Sequence, residues 1–485
     1  MKIKDLIKAT GAEIFGTNFD ENQEIKISTD TRTIKKGDFY LPLKGASFDG
    51  EKFVEQAIEK GAIGTFCTET SPLTPNPSPT SGEGNEASHP NLTREGKETI
   101  LLKVQNTLTA YLQLANYRRK QLNPTVIAIT GSSGKTTTKE LVASVVSEKF
   151  RTFKTPLNHN NEIGLCQTIF EMPDDTEVLV LEMGMRGLGE IELLSKYSEP
   201  DITIISNVGT AHIGRLGSRE NIAKAKCEIV KYQRGKYFIA HDDELIRKTV
   251  NFDGEKTYYS ISDVEILEKS ANYSKFVYKT LSPTLPQGRE ISFLKNGVRE
   301  GFIPCFELNV GGDYNIENAL SAINAGLKLG MNIGEIQSGL KKYHPIEKRW
   351  EAVCASGFEV INDSYNANPE SMRAFIDTIF EHYKNYTIVL GDMGELGENE
   401  IEYHKELGRY INSKKNLNKD AQILSVGTLS KNITDEIKHC CSKHFDSIES
   451  AVDYIRTNIN NKNIIFLKAS RSMKFERIIE LLGSD

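Results

Sequence analysis

Hydrophobic and polar positions fall into distinct patterns along this chain. Up to about Tyr117 short apolar runs and helical spacings are mixed. MKIKDLIKATGAEIFG has the spacing of an opening helix. GDFYLPL, from Gly37, predicts a strand, and FVEQAIEKGA, from Phe53, a helix closed by a glycine. Between Ser71 and Lys97 the pattern disappears into SPLTPNPSPTSGEGNEASHPNLTREGK. Its Pro, Ser, Gly and Asn cannot build a packed core, so a mobile surface insertion is expected there. Deleting it should leave the melting temperature and the activity close to those of the full chain. A large loss of stability in the deletion variant would show that the segment packs.

From Thr125 the period becomes strand then helix. TVIAIT reads as a buried parallel strand and TTTKELVASVVSEKF as a helix; VLVLEMG, DITIISNVG and KYFIA follow as apolar strands between helical stretches. Such alternation predicts a parallel sheet covered on both faces. After about His344 a second α/β pattern begins, with strands TIVLGDM, QILSVG and NIIFLKAS and helices NPESMRAFIDTIFEHY and SMKFERIIELL. No internal repeat is evident.

Length and composition agree with this division. A chain of 485 residues suggests about three domains. With 38% hydrophobic and 26% charged residues it can bury real cores. The net charge of -6 disfavours a general nucleic-acid binder. No apolar run approaches the roughly 20 residues of a membrane span, and the N-terminus lacks the apolar stretch of a secretion signal. A cytoplasmic protein without membrane insertion is expected. The seven cysteines are scattered, odd in number and contain no C-x-x-C pair, so reduced thiols are expected rather than a disulfide framework or a zinc site.

The strongest chemical signal is Gly131-Ser132-Ser133-Gly134-Lys135-Thr136-Thr137, set between an apolar strand and an amphipathic helix. That is the context of a phosphate-binding loop. The glycines let backbone N–H groups turn onto phosphate oxygens, and the helix N-terminus adds partial positive charge. Lys135 would span the β- and γ-phosphates of ATP, and the Thr136 hydroxyl would bind Mg²⁺. The longer G-x-x-x-x-G-K-[ST] pattern would need glycine where Ile129 stands, so this is a shorter form. Two further residues fall at strand ends, where parallel sheets bind ligands. Glu182 closes VLVLEMG and suits Mg²⁺ as an oxygen ligand, though a solvated carboxylate explains it equally well. His212 ends Ser206-Asn-Val-Gly-Thr-Ala-His212; a lone histidine is more often structural than a ligand.

Taken together, Thr130–Thr137, Leu181-Glu-Met-Gly184, Ser206–His212 and Ala225-Lys226 resemble the Mur ligase family, and the resemblance extends over nearly the whole chain outside the insertion. It implies a fold of three domains: a small α/β UDP-binding domain at 1–120, a central P-loop parallel-sheet ATPase domain at 121–345 and a C-terminal Rossmann-like α/β domain at 346–485. It implies that Glu182 and His212 bind Mg²⁺ and that Lys226 is carbamylated, its new carboxylate helping to hold the second metal. By its sequence alone Lys226 reads as a solvated helix lysine. Gly312-Asp-Tyr-Asn-Ile-Glu-Asn318 resembles the adenine-contacting helix start, with Asn318 on the adenine edge and Tyr314 in place of the usual histidine. Arg349 matches a linker arginine that reaches the γ-phosphate.

The C-terminal strings Asn362-Asp-Ser-Tyr-Asn-Ala-Asn-Pro369, Val389–Gly397 with His404, and Lys468-Ala-Ser-Arg471-Ser-Met473 resemble those of the members that add D-alanyl-D-alanine. Ala469 stands where glycine is usual. The resemblance implies that Asp363 contacts the ATP ribose and that Tyr365, Asn366 and Asn368 shape the dipeptide site. Asn and Asp capping and Pro369 starting a helix also explain the turn. Ser28-Thr-Asp30-Thr-Arg32, Gly37–Gly45 and Phe48-Asp-Gly50 resemble the UDP-binding segment. Asn160 and Asn161 match a loop facing the muropeptide, although a helix cap accounts for them as well.

The implied activity is ATP-dependent ligation of D-alanyl-D-alanine to a UDP-N-acetylmuramoyl-tripeptide by a monomer, with Lys135, Lys226, His212 and Arg349 as the catalytic set. The alternatives are a superfamily ligase with another acceptor string, or a non-catalytic nucleotide-binding P-loop protein.

Overall fold

In a computed structural model of the chain, the described residues are 1–16, 19–45, 48–69, 93–94, 97–156, 159–270, 272–279, 292–295, 298–301, 304–345, 349–414 and 421–484. The expected insertion, Ser71–Lys97, lies outside them except for Thr93–Arg94 and Lys97; Thr93–Arg94 pairs antiparallel with Lys97–Glu98.

Backbone contacts divide the chain into two compact units. The first holds residues 1–124 and 156–175, and the second holds 125–155 and 176–485. Residues 156–175 join the first unit because their helix, Glu162–Glu171, packs on its helix Thr107–Leu122. Tyr111 stacks on Phe170 with centroids 5.4 Å apart, and Arg118 Nη2 donates to Met172 O at 3.0 Å and Asp174 Oδ1 at 2.9 Å.

The sheet of the first unit runs, in space, Glu13–Phe15, Ile100–Lys103, Gly64–Cys67, Phe39–Tyr40, Ile27–Ser28; only the Glu13–Phe15 pairing is antiparallel. Tyr40, Val54, Ala57, Ile58 and Leu101 form its core. GDFYLPL yields only a two-residue strand, because pairing with Ile27–Ser28 and Gly64–Cys67 stops after Tyr40. The opening helix spans Ile3–Thr10 and ends at Gly11 in the left-handed region.

The second unit contains two six-stranded sheets. The first runs Glu255–Tyr259, Tyr237–His241, Ile202–Ile205, Thr125–Thr130, Val178–Glu182, Thr152–Lys154, all parallel. Four of these six are the apolar runs expected as strands, while Thr152–Lys154 and Glu255–Tyr259 were not expected; residues such as Val126–Ile129 and Val178–Leu181 are almost wholly buried, as a sheet covered on both faces requires. The helices Lys135–Val146, Asp313–Lys328 and Ile333–Lys342 cover one face through Leu141, Val145, Ile316, Leu320 and Ile336. Gly339 allows close helix contact, since a Cβ there would overlap the backbone of Val145. A three-stranded antiparallel sheet, Val264–Ser270, Tyr273–Tyr278 and Cys305–Leu308, adds Phe276 and Phe306 to the same core; the hydrophobic pattern gave no separate signal for it.

The second sheet runs Glu351–Ala355, Phe358–Asn362, Ile464–Lys468, Tyr386–Gly391, Gln422–Val426, Cys441–Phe445, and is parallel except for the first pair. That pair is a tight hairpin whose turn residues, Ser356 and Gly357, both have positive φ. Ala469 and Gly391 fit each other: a Cβ at 391 would sit 2.6 Å from that of Ala469 and against Phe475. The described cysteines are all unpaired. Among the described residues no helix is long and apolar enough to cross a membrane.

Candidate active site

The phosphate loop links the strand Thr125–Thr130 to the helix Lys135–Val146. Both its glycines are required. Gly134 has φ +75°, and a Cβ there would lie 2.6 Å from Asn318 Oδ1; a Cβ at Gly131 would collide with Ser206 Oγ. The segment Ser206–Gly209 clasps the loop. Asn207 Oδ1 accepts from Ser132 N at 3.0 Å and Ser133 N at 2.9 Å, and Asn207 Nδ2 donates to Ser133 Oγ at 2.7 Å. Ser206 Oγ donates to Ser133 O at 2.6 Å, and Gly209 N to Ser132 Oγ at 2.9 Å. Two N–H groups expected to face phosphate oxygens thus donate to a side-chain carbonyl. Asn207 stood within the Ser206–His212 string without a role of its own, because only the fold brings it beside the loop.

Lys135 is half-buried and its Nζ donates to Gly131 O at 2.8 Å. Burial lowers its pKa and Arg349 adds to the shift, while Glu182 and Glu395 oppose it. Thr136 is buried, and its Oγ1 accepts from Arg349 Nη2 at 3.0 Å. The structure therefore joins the linker arginine to the phosphate loop across 213 positions of sequence. Thr137 is beside Tyr343. Asn318 packs on Gly134 and accepts from Thr138 Oγ1 at 3.1 Å, so its Oδ1 faces the loop helix. Tyr314 lies near Asp363, and burial pushes its hydroxyl pKa up.

Glu182 is buried at its strand end, with Lys139 Nζ 3.9 Å from Oε2. Lys139, another residue the sequence did not single out, also donates to Thr155 O at 2.9 Å. His212 has φ +67°, and its Nδ1 lies 2.5 Å from Glu395 Oε2. Glu395 itself has φ +62°, so strained backbone stands on both sides of this contact. Its carboxyl is held below the usual range first by His212. Beside it the backbones of Gly214 and Gly397 are in such close approach that neither position admits a Cβ. Thr210 N and Oγ1 donate to the two oxygens of Glu370 at 2.9 and 3.0 Å.

Lys226 is not solvated: it is 1% exposed, on the helix Arg219–Cys227. Among the described residues nothing forms a hydrogen bond or ion pair with its amine. Burial, and then the charge of Lys135, lower its pKa well below that of an ordinary lysine. Among the described residues no three His, Cys, Asp or Glu side chains converge as a metal site. A cation at Glu182 and His212 therefore needs oxygens of other origin. The Thr136 hydroxyl and the Glu182 carboxylate are hard oxygen donors, the chemistry Mg²⁺ takes.

In the C-terminal sheet, Lys468 is buried and anchors the Asn362–Pro369 turn. Its Nζ donates to Asp363 Oδ2 at 2.5 Å and to the carbonyls of Asp363 and Asn366 at 3.4 Å. Asn368 caps the helix Pro369–His382 through Ser371 N at 2.8 Å, and Asn366 Oδ1 accepts from Ala367 N. The Tyr365 ring lies under Arg349, whose guanidinium carbon is 4.0 Å from its centroid.

Residues expected to bind the UDP end belong to the first unit. Asp30 receives Arg32 N at 2.9 Å and Arg32 Nη2 at 2.6 Å, and Arg32 pulls its carboxyl down to about 2. Ser28 Oγ donates to Asp30 O at 3.1 Å. Asn161 caps the helix Glu162–Glu171 through Gly164 N at 2.9 Å, with Asn160 beside it.

His404 supports the loop that carries Glu395. It is fully buried; Nδ1–H donates to Glu400 O at 2.7 Å and Nε2 accepts from Met393 N at 2.9 Å. That pairing requires the neutral ring, and burial lowers its pKa. An unfolded histidine titrates near pH ~6.5, so below that value the unfolded chain binds more protons than the folded one. This contribution to stability is present above about pH 6.5 and is lost as pH falls. Melting curves between pH 8 and pH 5 should show the decline, and His404→Gln should flatten it; an unchanged slope in that variant would assign the decline to other groups.

Known sequence families match in three consecutive stretches: the Mur ligase family catalytic domain at residues 26–119, the Mur ligase middle domain at 129–326 and the Mur ligase glutamate ligase domain at 348–471. The UDP-N-acetylmuramoyl-tripeptide–D-alanyl-D-alanine ligase of Bacillus subtilis (strain 168) is 33% identical over 99% of this chain and 97% of its own. That of Synechocystis sp. is 31% identical over 96% and 94%. Among solved structures, crystal structure I of MurF from Acinetobacter baumannii superposes with a TM-score of 0.82 at 27% identity, covering 100% of this chain and 99% of that one. MurF ligase from Thermotoga maritima in complex with ADP shares the fold, with a TM-score of 0.75 at 24% identity over 94% and 97% of the two chains. The chain belongs to the Mur ligase family, in its branch of UDP-N-acetylmuramoyl-tripeptide–D-alanyl-D-alanine ligases.

Proposed function

We propose that this chain joins the free amine of D-alanyl-D-alanine to the terminal carboxylate of a UDP-N-acetylmuramoyl-tripeptide at the expense of ATP, in peptidoglycan synthesis in the cytoplasm, as a monomer. The observation that carries the reading is the meeting of Thr136, Lys135 and Arg349 at one phosphate loop, with buried Lys226 close enough to Lys135 for the two charges to interact.

A carboxylate is a poor acyl donor because its oxygen is a bad leaving group. Transfer of the γ-phosphoryl group to it gives an acyl phosphate and ADP. The dipeptide amine then attacks the carbonyl carbon, phosphate departs with the C–O electron pair, and the amine proton passes to solvent or a nearby base. Lys135 and Arg349 offset charge on the transferring phosphoryl group. Thr136, Glu182, His212 and a carbamylated Lys226 would hold Mg²⁺, which when bound supplies charge neutralisation and orientation of phosphate oxygens. Gly131–Thr137 cradle the nucleotide phosphates, with Asn318 and Asp363 at its adenosine end. Loading ATP requires the Ser132 and Ser133 N–H groups to exchange Asn207 for phosphate oxygens. Ser28, Asp30 and Arg32 take the UDP end, Asn160 and Asn161 the muropeptide, and Asn366 and Asn368 the dipeptide side.

The test is phosphate release in the presence of each substrate combination. Release should require the UDP-muropeptide and D-alanyl-D-alanine together, and neither glutamate nor a diamino acid should replace the dipeptide. Ligation of glutamate to a folate, with the dipeptide ignored, would move the chain to another member of the superfamily.

A further inference from the structure

Arg349 has to present its guanidinium at Thr136, and its backbone is fixed by its neighbour. Trp350, the one tryptophan of the chain, has φ +60° and is buried against Phe375 and Phe466, with centroids 5.6 and 5.9 Å away. Burial in that aromatic cluster holds a backbone conformation that a large side chain rarely adopts. The Arg349 side chain is held by other means. Nη2 donates to Thr136 Oγ1 at 3.0 Å, whereas Nε is buried and makes no hydrogen bond. Among the described residues no carboxylate forms an ion pair with it. What lies beneath is the ring of Tyr365, with the guanidinium carbon 4.0 Å from the ring centroid. A second guanidinium, that of exposed Arg471, is 5.3 Å from the same centroid. It too has no ion pair among the described residues.

One ring thus serves two cations where a carboxylate would be the ordinary partner. The difference is chemical. A carboxylate would fix Arg349 but also neutralise it and compete with phosphate for its N–H groups. A ring face attracts the cation through its quadrupole and leaves the in-plane N–H donors available.

We propose that Tyr365 is a positioning residue for phosphoryl transfer: its ring holds Arg349 over Thr136 with the guanidinium donors left to the phosphoryl group. The proposal rests on the ligase reading above. It gives Tyr365 a role through Arg349, rather than one of touching the dipeptide.

The test uses the full-length enzyme with ATP, UDP-muropeptide and D-alanyl-D-alanine. Wild type is assayed first, and absence of dipeptide-dependent phosphate release there refutes the ligase reading, with no bearing on Tyr365. Tyr365→Phe keeps the ring and should stay within about twofold of wild type in kcat and in KM for the dipeptide. Tyr365→Leu removes the ring and should lower kcat about 10- to 100-fold, the size expected when a catalytic group is misplaced by about an ångström. Its dipeptide KM should hold within about twofold. In an Arg349→Ala background Tyr365→Leu should add no further loss, since its effect passes through the arginine. A raised dipeptide KM with unchanged kcat in the phenylalanine or leucine variant would overturn the proposal, as would additive losses in the double variant. Thermal melting checks the fold of each protein, and Tyr365→Met carries the same comparison if the leucine variant is unfolded.

Discussion

Lys135→Ala is expected to lower kcat by about 10²- to 10³-fold or more, the cost of removing one preorganised charge from a transition state, while the protein stays folded. The phosphate loop does not depend on this side chain for its shape. Asn207 and Ser206 hold Ser132 and Ser133 by side-chain hydrogen bonds, and the glycines at 131 and 134 set the turn. The alanine variant loses only the contact of Nζ with Gly131 O. In the structure that ammonium is satisfied within the loop, beside Arg349 and within the field of Glu182 and Glu395. On nucleotide binding it exchanges a neutral carbonyl for phosphate oxygens, where its charge is worth most because the site is partly dry. Phosphate-release kinetics alongside a thermal melt check the expectation. Wild-type turnover in a folded Lys135→Ala protein would remove Lys135 from the catalytic set.

Lys226→Met is expected to be nearly inactive, by about 10³-fold or more, and at least as stable as wild type. The combination is unusual, because loss of a fully buried side chain normally destabilises. Here the buried group is an amine without hydrogen bond or ion pair among the described residues, and its pKa is already driven far down by burial and by Lys135. An unpaired polar group in that position costs free energy, and methionine fills similar volume without it. A neutral amine is also the form that reacts with CO₂: the nitrogen lone pair forms the N–C bond, a proton is released, and an anionic carbamate remains. Activity should therefore fall when CO₂ and bicarbonate are stripped and return when they are restored. Carbon-13 NMR of protein equilibrated with labelled bicarbonate reads the modification directly. An unmodified Lys226 in a fully active, magnesium-loaded enzyme would make it a structural lysine only.

The central parallel strands of the second unit were legible in the sequence because a strand buried on both faces must be a continuous apolar run, whereas the more exposed strands Thr152–Lys154, Glu255–Tyr259 and Cys441–Phe445 were not. Thr125–Thr130, Val178–Glu182 and Ile202–Ile205 have no other reading once glycine and charge bound them. The phosphate loop was legible for a local reason: its chemistry and its geometry are both written within seven residues. The C-terminal hairpin at Ser356–Gly357 and the antiparallel sheet at Val264–Leu308 were not, since short half-exposed strands leave little periodicity.

What the sequence by itself determined is therefore the local part: strand and helix order, the phosphate loop, and the strings that mark the family. Tertiary structure decided which distant residues meet. It buried Lys226 although its helix, RENIAKAKC, reads as solvated, because burial depends on what packs over a helix and not on its composition. It brought Asn207 to the loop N–H groups, Glu395 to His212 and Glu370 to Thr210. It set Arg349 on Tyr365, whereas the caps at Asn161 and Asn368, each made to a residue three positions on, are local and were already open to the sequence. It also moved the helix Glu162–Glu171 to the first unit, through stacking of Phe170 on Tyr111. Local propensity fixes backbone hydrogen bonds between near neighbours. The pKa of a lysine, the aim of an arginine and the partners of a carboxylate depend on fields and contacts from residues far along the chain, and these exist only once the sheets have packed.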